Sequence, residues 1–404
     1  MERYEAYKDG GWLGDVPSSW NLVRISSLYD SRNEKVSDKD YPPLSVTMQG
    51  ILPQLETAAK TQDGDNRKLV KKGDFAINSR SDRRGSCGIS QYDGSVSLIT
   101  NVLRPKDASG MDMRFFGHLF KSEKFSDEYF KQGTGIVDDL WSTNWSRMKN
   151  ILVCCPDLES QQAIADFLDE KTAEIDGIVS ETERSIELLR EYRKSVVSEA
   201  VTKGLDPNAP MKDSGVEWIG EIPAVWDVAR MSNFVRFHSG DSLDSTLLKS
   251  ESPYPVYGGG NVKGRYDQSN ISAGSVLVSR QGATCGAARY IASAAWATEH
   301  ALIATKLCTM DSRWLAYFLG NMNLGQYSMT AAQPGISADK IESLPIVVAS
   351  TWEQERIADY LDAKTSEIDA LIADKERQVE LLKEYRKSLI SEAVTGKFKV
   401  PGVS

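Results

Sequence analysis

The 404 residues carry 48 Lys and Arg against 57 Asp and Glu, a formal net charge of −9, with 41% hydrophobic and 26% charged residues. That balance excludes a chain that is disordered throughout, and no run approaches the roughly 18 consecutive apolar residues of a membrane span. Met1-Glu2-Arg3-Tyr4-Glu5 lacks the apolar core of a signal peptide, and five cysteines without a Cys-x-x-Cys pair argue against a disulfide framework or zinc finger and for a reducing cytoplasm.

From the N-terminus, Trp12-Leu13-Gly14-Asp15-Val16-Pro17-Ser18-Ser19-Trp20 opens the chain and returns as Trp218-Ile219-Gly220-Glu221-Ile222-Pro223-Ala224-Val225-Trp226. The region after the first motif predicts a strand over Asp74–Ile77 and a short helix over Met113–Phe120, separated by Gly- and Asn-rich turns. Residues 161–202 then predict a long helix. They align without gaps to residues 354–395, with 26 of 42 positions identical. Gly204, Pro207 and Pro210 end the first helix. The second region predicts a strand over Ser275–Val278 and a helix over Arg313–Leu319. The chain is therefore two copies of one plan: motif, variable region, long helix.

Each long helix carries an apolar seam at three-four spacing. It runs Leu168, Thr172, Ile175, Val179, Thr182, Ile186, Leu189, Arg193, Val196, Ala200, and is repeated as Leu361, Thr365, Ile368, Ile372, Lys375, Val379, Leu382, Arg386, Leu389, Ala393. Such a seam predicts a coiled coil, and the obvious partner of each helix is its duplicate. The expected fold is α+β: two mixed α/β domains separated by an antiparallel coiled coil, in a pseudo-two-fold internal repeat. The expected parts are residues 1–158, helix 159–204, linker 205–217, residues 218–350 and helix 351–399. The alternative is two separate amphipathic helices, each lying on its preceding domain.

Charge is segregated. Residues 60–90 hold eight basic and four acidic side chains and residues 263–306 five and two, whereas 160–203 hold six and ten and 352–399 nine and eleven. A local basic face is thus compatible with net acidity. Catalytic signatures are missing. There is no phosphate-binding Gly-x-x-x-x-Gly-Lys-Ser/Thr loop, and His118, His238 and His300 lack metal-ligand spacing and read as surface or packing residues. The expectation is no catalytic residue, no metal ligand and no cofactor of its own.

The variable regions share Ser79-Arg80 and Ser279-Arg280 at a strand end, each followed by a small-residue loop closing on Ser86-Cys87-Gly88 or Thr284-Cys285-Gly286. An arginine there reaches phosphates or the O6/N7 edge of guanine. Lys71, Lys72, Arg83 and Arg84 add charge around the first loop. Lys263, Arg265 and Arg289, with Tyr257 and Asn261 on a Gly258-Gly259-Gly260 loop, surround the second. These eleven residues are the candidate DNA-binding set. The competing reading is that each arginine pairs with an acid to fix its loop.

The chain resembles, along essentially its whole length, the DNA-specificity subunit of type I restriction–modification systems. The resemblance rests on Glu191-Tyr192-Arg193-Lys194-Ser195 through Thr202 and its copy Glu384-Tyr385-Arg386-Lys387-Ser388 through Lys397. It rests equally on Asp213 through Pro223 and on Gln354 through Asp362. It implies a non-catalytic subunit whose two target-recognition domains each read half of a split, asymmetric DNA sequence, with the helices as spacer. It also implies two methyltransferase and two restriction subunits as partners, bringing S-adenosylmethionine, ATP and Mg. A scaffold gripping two protein copies without DNA is the alternative.

Overall fold

The computed structural model describes residues 3–54, 64–80, 84–135, 141–328 and 335–403. It divides into two compact units, Met1–Thr182 with Arg377–Ser404, and Glu183–Glu376. Among the described residues no helix is long and apolar enough to cross a membrane.

The first unit is built on a four-stranded antiparallel sheet of β1 (Tyr29–Ser31), β2 (Phe75–Asn78), β3 (Cys87–Ile89) and β4 (Thr100–Pro105), in the order β3-β2-β4-β1. All four residues of β2 are buried, as expected for a central strand covered on both faces. Helix α1 (Met113–Lys121) covers the sheet with Phe115, Phe116, Leu119 and Phe120, and α2 (Glu123–Lys131) follows. Phe120 packs between Phe75 and Phe125 at centroid separations of 4.6 and 4.8 Å, within the range of favourable aromatic pairs. The long helix α3 spans Leu158–Lys203.

The second unit repeats the plan with β5 (Val235–Ser239), β6 (Ser275–Ser279), β7 (Ala288–Ile291) and β8 (Ala301–Lys306). Their order, β7-β6-β8-β5, is that of the first sheet strand for strand. Helix α4 (Ser312–Asn321) takes the place of α1, and α5 (Thr351–Val394) is the second long helix. Strands and short helices thus fall where the pattern predicts: β2 is shifted by one residue, β6 and α1 each run one residue further, and α4 extends one residue earlier and two later.

Within each unit the helices run antiparallel. Arg386 of α5 pairs with Asp176 of α3 at 2.8 Å in the first unit, and Arg193 of α3 with Asp369 of α5 at 2.7 Å in the second. The two arginines of the predicted seam are therefore interhelical ion-pair partners, whereas Thr182 and Thr365 are buried and donate to carbonyls one turn back in their own helices. Most apolar seam positions, Leu168, Ile175, Ile186, Val196, Leu361, Ile368 and Leu389 among them, are buried.

The same clasp fixes both domains to their helices. Asp112 caps α1 and Asp311 caps α4, each accepting from the backbone two residues on at 2.8 Å. The peptide N–H of Asp112 donates to Oε1 of Gln161 at 2.9 Å, and that of Asp311 to Gln354 at 3.0 Å. Arg114 reaches Asp112, Asp166 and Asp169, and Arg313 reaches Asp311, Asp359 and Asp362. His118 contacts Asp169 where Tyr317 contacts Asp362, both at 2.8 Å.

The Trp motifs close the helix ends. Trp20 and Trp226 are almost fully buried. Gly204, at φ +73°, lies under the Trp226 ring, and Gly396, at φ +67°, lies under Trp20 and Pro17. A side chain at either glycine would be strained by that left-handed backbone and would press on the indole. The first copy ends Lys203-Gly204 and the second Gly396-Lys397, yet both supply a glycine at the turn.

Candidate nucleic-acid interface

Arg80 and Arg280 sit just past the ends of β2 and β6, the equivalent strands of the two sheets. Arg80 is exposed, its N–H donates to Oδ1 of Asn78 at 3.0 Å, and its backbone bridges to Ser142. It lines a small cleft with Asn78, Arg84, Phe130 and Trp141. Arg280 is half-buried, and its Nη1 donates to Oγ of Ser239 at 2.9 Å. Neither arginine has a salt-bridge acid among the described residues.

The remaining candidates of the first unit divide. Arg84 pairs with Asp127 and stacks 4.9 Å over the Phe130 ring, so α2 holds it beside Arg80. Lys71 and Lys72 are exposed, but in the turn before β2, their N–H groups donating to Asp74 at 2.9 Å and Asp93 at 2.7 Å. Lys71 and Lys72 precede β2 and Arg80 follows it, so the four-residue strand, ~13 Å at ~3.3 Å per residue, lies between the lysines and the arginine. Arg83 lies outside the described residues. Part of the basic count of this stretch points inward. Arg67 is buried against Ser95, and Lys68 donates to the Thr100 carbonyl at 2.6 Å. Burial lowers the pKa of both.

In the second unit the candidates converge. The hairpin of strands Tyr254–Tyr257 and Val262–Tyr266 carries the glycine loop at its tip. Gly259 packs directly on the Gln281 carbonyl, leaving no room for a Cβ. The Tyr257 carbonyl accepts from the N–H of Thr298 at 2.8 Å, and the His300 carbonyl from that of Arg280 at 2.9 Å. Tyr257, the exposed Asn261, Lys263 and Arg280 therefore share one edge. Lys263 lies along Gly258, and Arg289 stacks 5.5 Å over Tyr257. Arg265 instead turns its guanidinium onto the carbonyls of Ser252 and Pro253.

Two features escaped the sequence reading. In the first unit the hairpin Leu44–Thr47 and Gly50–Pro53 occupies the place of the glycine-loop hairpin in the order of elements, and its tip residue Met48 is 74% exposed. Comparing element order between the copies, rather than residues, would have found it. The other is His300, whose Nδ1 meets Oε1 of the exposed Gln281 at 3.0 Å. No spacing rule links those two positions.

Elsewhere, the five cysteines are free, and burial pushes the Cys87 and Cys154 thiols up to about 12, leaving them protonated. Among the described residues no group of His, Cys, Asp and Glu is placed to hold a metal ion.

The model of the type I restriction modification DNA specificity domain matches residues 17–188 and 223–381. The type I restriction enzyme EcoprrI specificity subunit of Escherichia coli is 34% identical over 109 residues, 27% of each chain. The MjaVIII specificity subunit of Methanocaldococcus jannaschii is 22% identical over 96% of this chain and 95% of its own. A chain from a solved structure on complex assembly and conformational transition of the type I R-M system superposes with TM-score 0.74 at 14% identity, covering 95% of this chain and 99% of that one. The HsdS subunit of Thermoanaerobacter tengcongensis gives 0.54 at 16% identity, covering 95% and 98%. At these identities the structures speak for the fold. The family match speaks for more, because it takes in both repeats and most of the chain. The protein belongs to the type I restriction–modification specificity subunits.

Proposed function

We propose that the chain reads one split, asymmetric DNA sequence, one half per unit, and seats a methyltransferase subunit on each of two matching helix faces. The observation that carries this reading is the duplication itself. An arginine ends the same strand of the same sheet in both units, while the side chains around it differ. A shared cation suits a contact common to both half-sites, and differing neighbours suit different base edges.

The helix faces support the second part. Leu188, Tyr192 and Leu371 are exposed in the second unit, and their repeat equivalents Leu381, Tyr385 and Ile178 are exposed in the first. Leu188 with Tyr192, and Leu381 with Tyr385, stand four residues apart on one helical face. Apolar side chains left in solvent at matching places suit a partner bound twice. Two restriction subunits would join that assembly. S-adenosylmethionine, ATP and Mg would belong to the partners, and this chain would bring DNA contacts and no reacting group.

The test is reconstitution with the methyltransferase subunit. Adenine methylation at one bipartite sequence is expected only when both are present, with DNA binding that weakens steeply with salt. Leu188→Ala with Tyr192→Ala should reduce methyltransferase capture. Methylation by the purified chain alone would refute the non-catalytic assignment. Capture of the partner without salt-dependent DNA binding would favour the scaffold reading.

A further inference from the structure

The residue after Arg280 presents an amide that the protein holds in place. Gln281 is exposed, and its backbone is pinned by the antiparallel bridge to Gly335 and by Gly259 against its carbonyl. Its Oε1 lies 3.0 Å from Nδ1 of His300. Nε2 of the same imidazole lies 3.4 Å from Oε1 of Glu299, whose Oε2 is buried with no hydrogen-bond partner among the described residues. Carboxylate, imidazole and amide thus form a row ending at the surface beside Arg280. The Nε2 amine of Gln281 has no protein partner among the described residues, and its Oε1 keeps a second lone pair.

A carboxamide with a free N–H and a free lone pair on one edge matches N7 and N6–H of adenine in the major groove. Fixing the amide in advance removes the rotamer entropy that a free glutamine loses on binding. The internal repeat separates this residue from its neighbour. The arginine occurs in both copies, so it does not distinguish the half-sites, whereas Gln281 stands where the first copy has Ser81. We infer that Gln281 reads an adenine in the half-site of the second unit, with His300 and Glu299 as positioning residues. The inference rests on the DNA-reading function proposed above.

The experiment is sequencing of methylated sites in a host carrying the full complex with wild-type chain, Gln281→Ala, Gln281→Glu, His300→Phe or His300→Asn. In the wild type, one half-site should contain an invariant adenine that depends on Gln281. Gln281→Ala should lose about 10- to 100-fold of the preference at that one position and leave the other half-site unchanged. Gln281→Glu should move the preference toward cytosine, whose N4 amine donates to a carboxylate. His300→Phe should relax the same position partially, and His300→Asn, which keeps an N–H toward the amide, should restore it. An unchanged sequence with Gln281→Ala, relaxation at a G·C pair, or relaxation of both half-sites would overturn the inference while leaving the proposed function standing. A wild-type complex that methylates no defined sequence would overturn the function itself, and this inference with it.

Discussion

Replacing Arg313 by Ala tests how the second domain is fixed to its helix. The Arg313 side chain is 29% exposed, and its guanidinium spans Asp311, Asp359 and Asp362 at 3.3, 2.9 and 2.8 Å. These three contacts are not equal. Asp359 is 70% exposed, and such pairs contribute about 0–1 kcal/mol. Asp311 keeps its cap bonds to the N–H groups of Arg313 and Trp314 after the change, so it is not orphaned. The loss falls mainly on Asp362, and ~1–2 kcal/mol is expected for a half-buried charge-assisted pair. For a unit of this size that is ~2–8 °C in Tm. Arg114→Ala should cost less, under ~1 kcal/mol, because Arg114 is 48% exposed. Thermal denaturation of the four chains in a cycle with Asp362→Asn isolates the pair, since the carboxamide oxygen introduced by that change can still accept from the Tyr317 hydroxyl. If Arg313→Ala costs the same with and without the Asp362 carboxylate, the pair carries no energy and the reasoning fails.

Arg280→Ala should weaken or relax one half-site only, and Arg80→Ala the other, by ~1–3 kcal/mol for a base contact; equal damage to both, or a fall in Tm alone, would assign the arginines a structural role. His118 titrates below its ordinary value because burial outweighs the attraction of Asp169, with Lys121 and Arg386 opposing its charge further. Its contribution to stability is therefore intact above pH ~6.5 and lost as pH falls from there toward the depressed folded value; His118→Tyr, copying Tyr317, should flatten that acid limb in Tm measured against pH. The Asp176–Arg386 pair sets a register in which Thr182 faces Glu380. Four residues inserted after Thr182 and four after Val379 add ~6 Å to each helix and should lengthen the preferred DNA spacer by one or two base pairs; an unchanged spacer with activity retained would mean the helices do not set it.

Duplication made most of the architecture legible. Where two stretches of one chain keep a seam such as Leu168, Ile175 and Ile186 against Leu361, Ile368 and Val379, the period survives the changes around it and predicts both helices and their pairing. What stayed hidden depends on positions far apart in sequence. The clasp joins Asp112 to Gln161 and Asp311 to Gln354, and each glutamine reads alone as an ordinary polar residue near a helix start. Charge counting is limited differently. It gives residues 60–90 an excess of cations compatible with a local basic face, but Arg67 turns inward onto Ser95 while Lys72 and Arg80 flank opposite ends of β2. A count of cations does not contain their directions.

The two copies also separate scaffold from specificity, which neither copy does alone. Sheet order, cap, clasp glutamine, glycine turn and terminal arginine recur in both units, so each is explained by a requirement both units share. Gln281 and His300 have no like residue in the first unit, and the glycine loop and the Met48 tip occupy the same place in the order of elements with different residues. Their placement follows from where the shared frame leaves them: on the hairpin between the first sheet strand and the arginine strand, or on the loops flanking β6 and β8. A frame held by buried bonds, such as Asn101 to Tyr129 and Thr143 at 2.8 Å in the first unit, tolerates new residues at loop tips because the tips carry little of the fold. Under the proposed function, the half-site read by one unit should then change without disturbing the other, provided the substitutions stay outside the clasp and the seam.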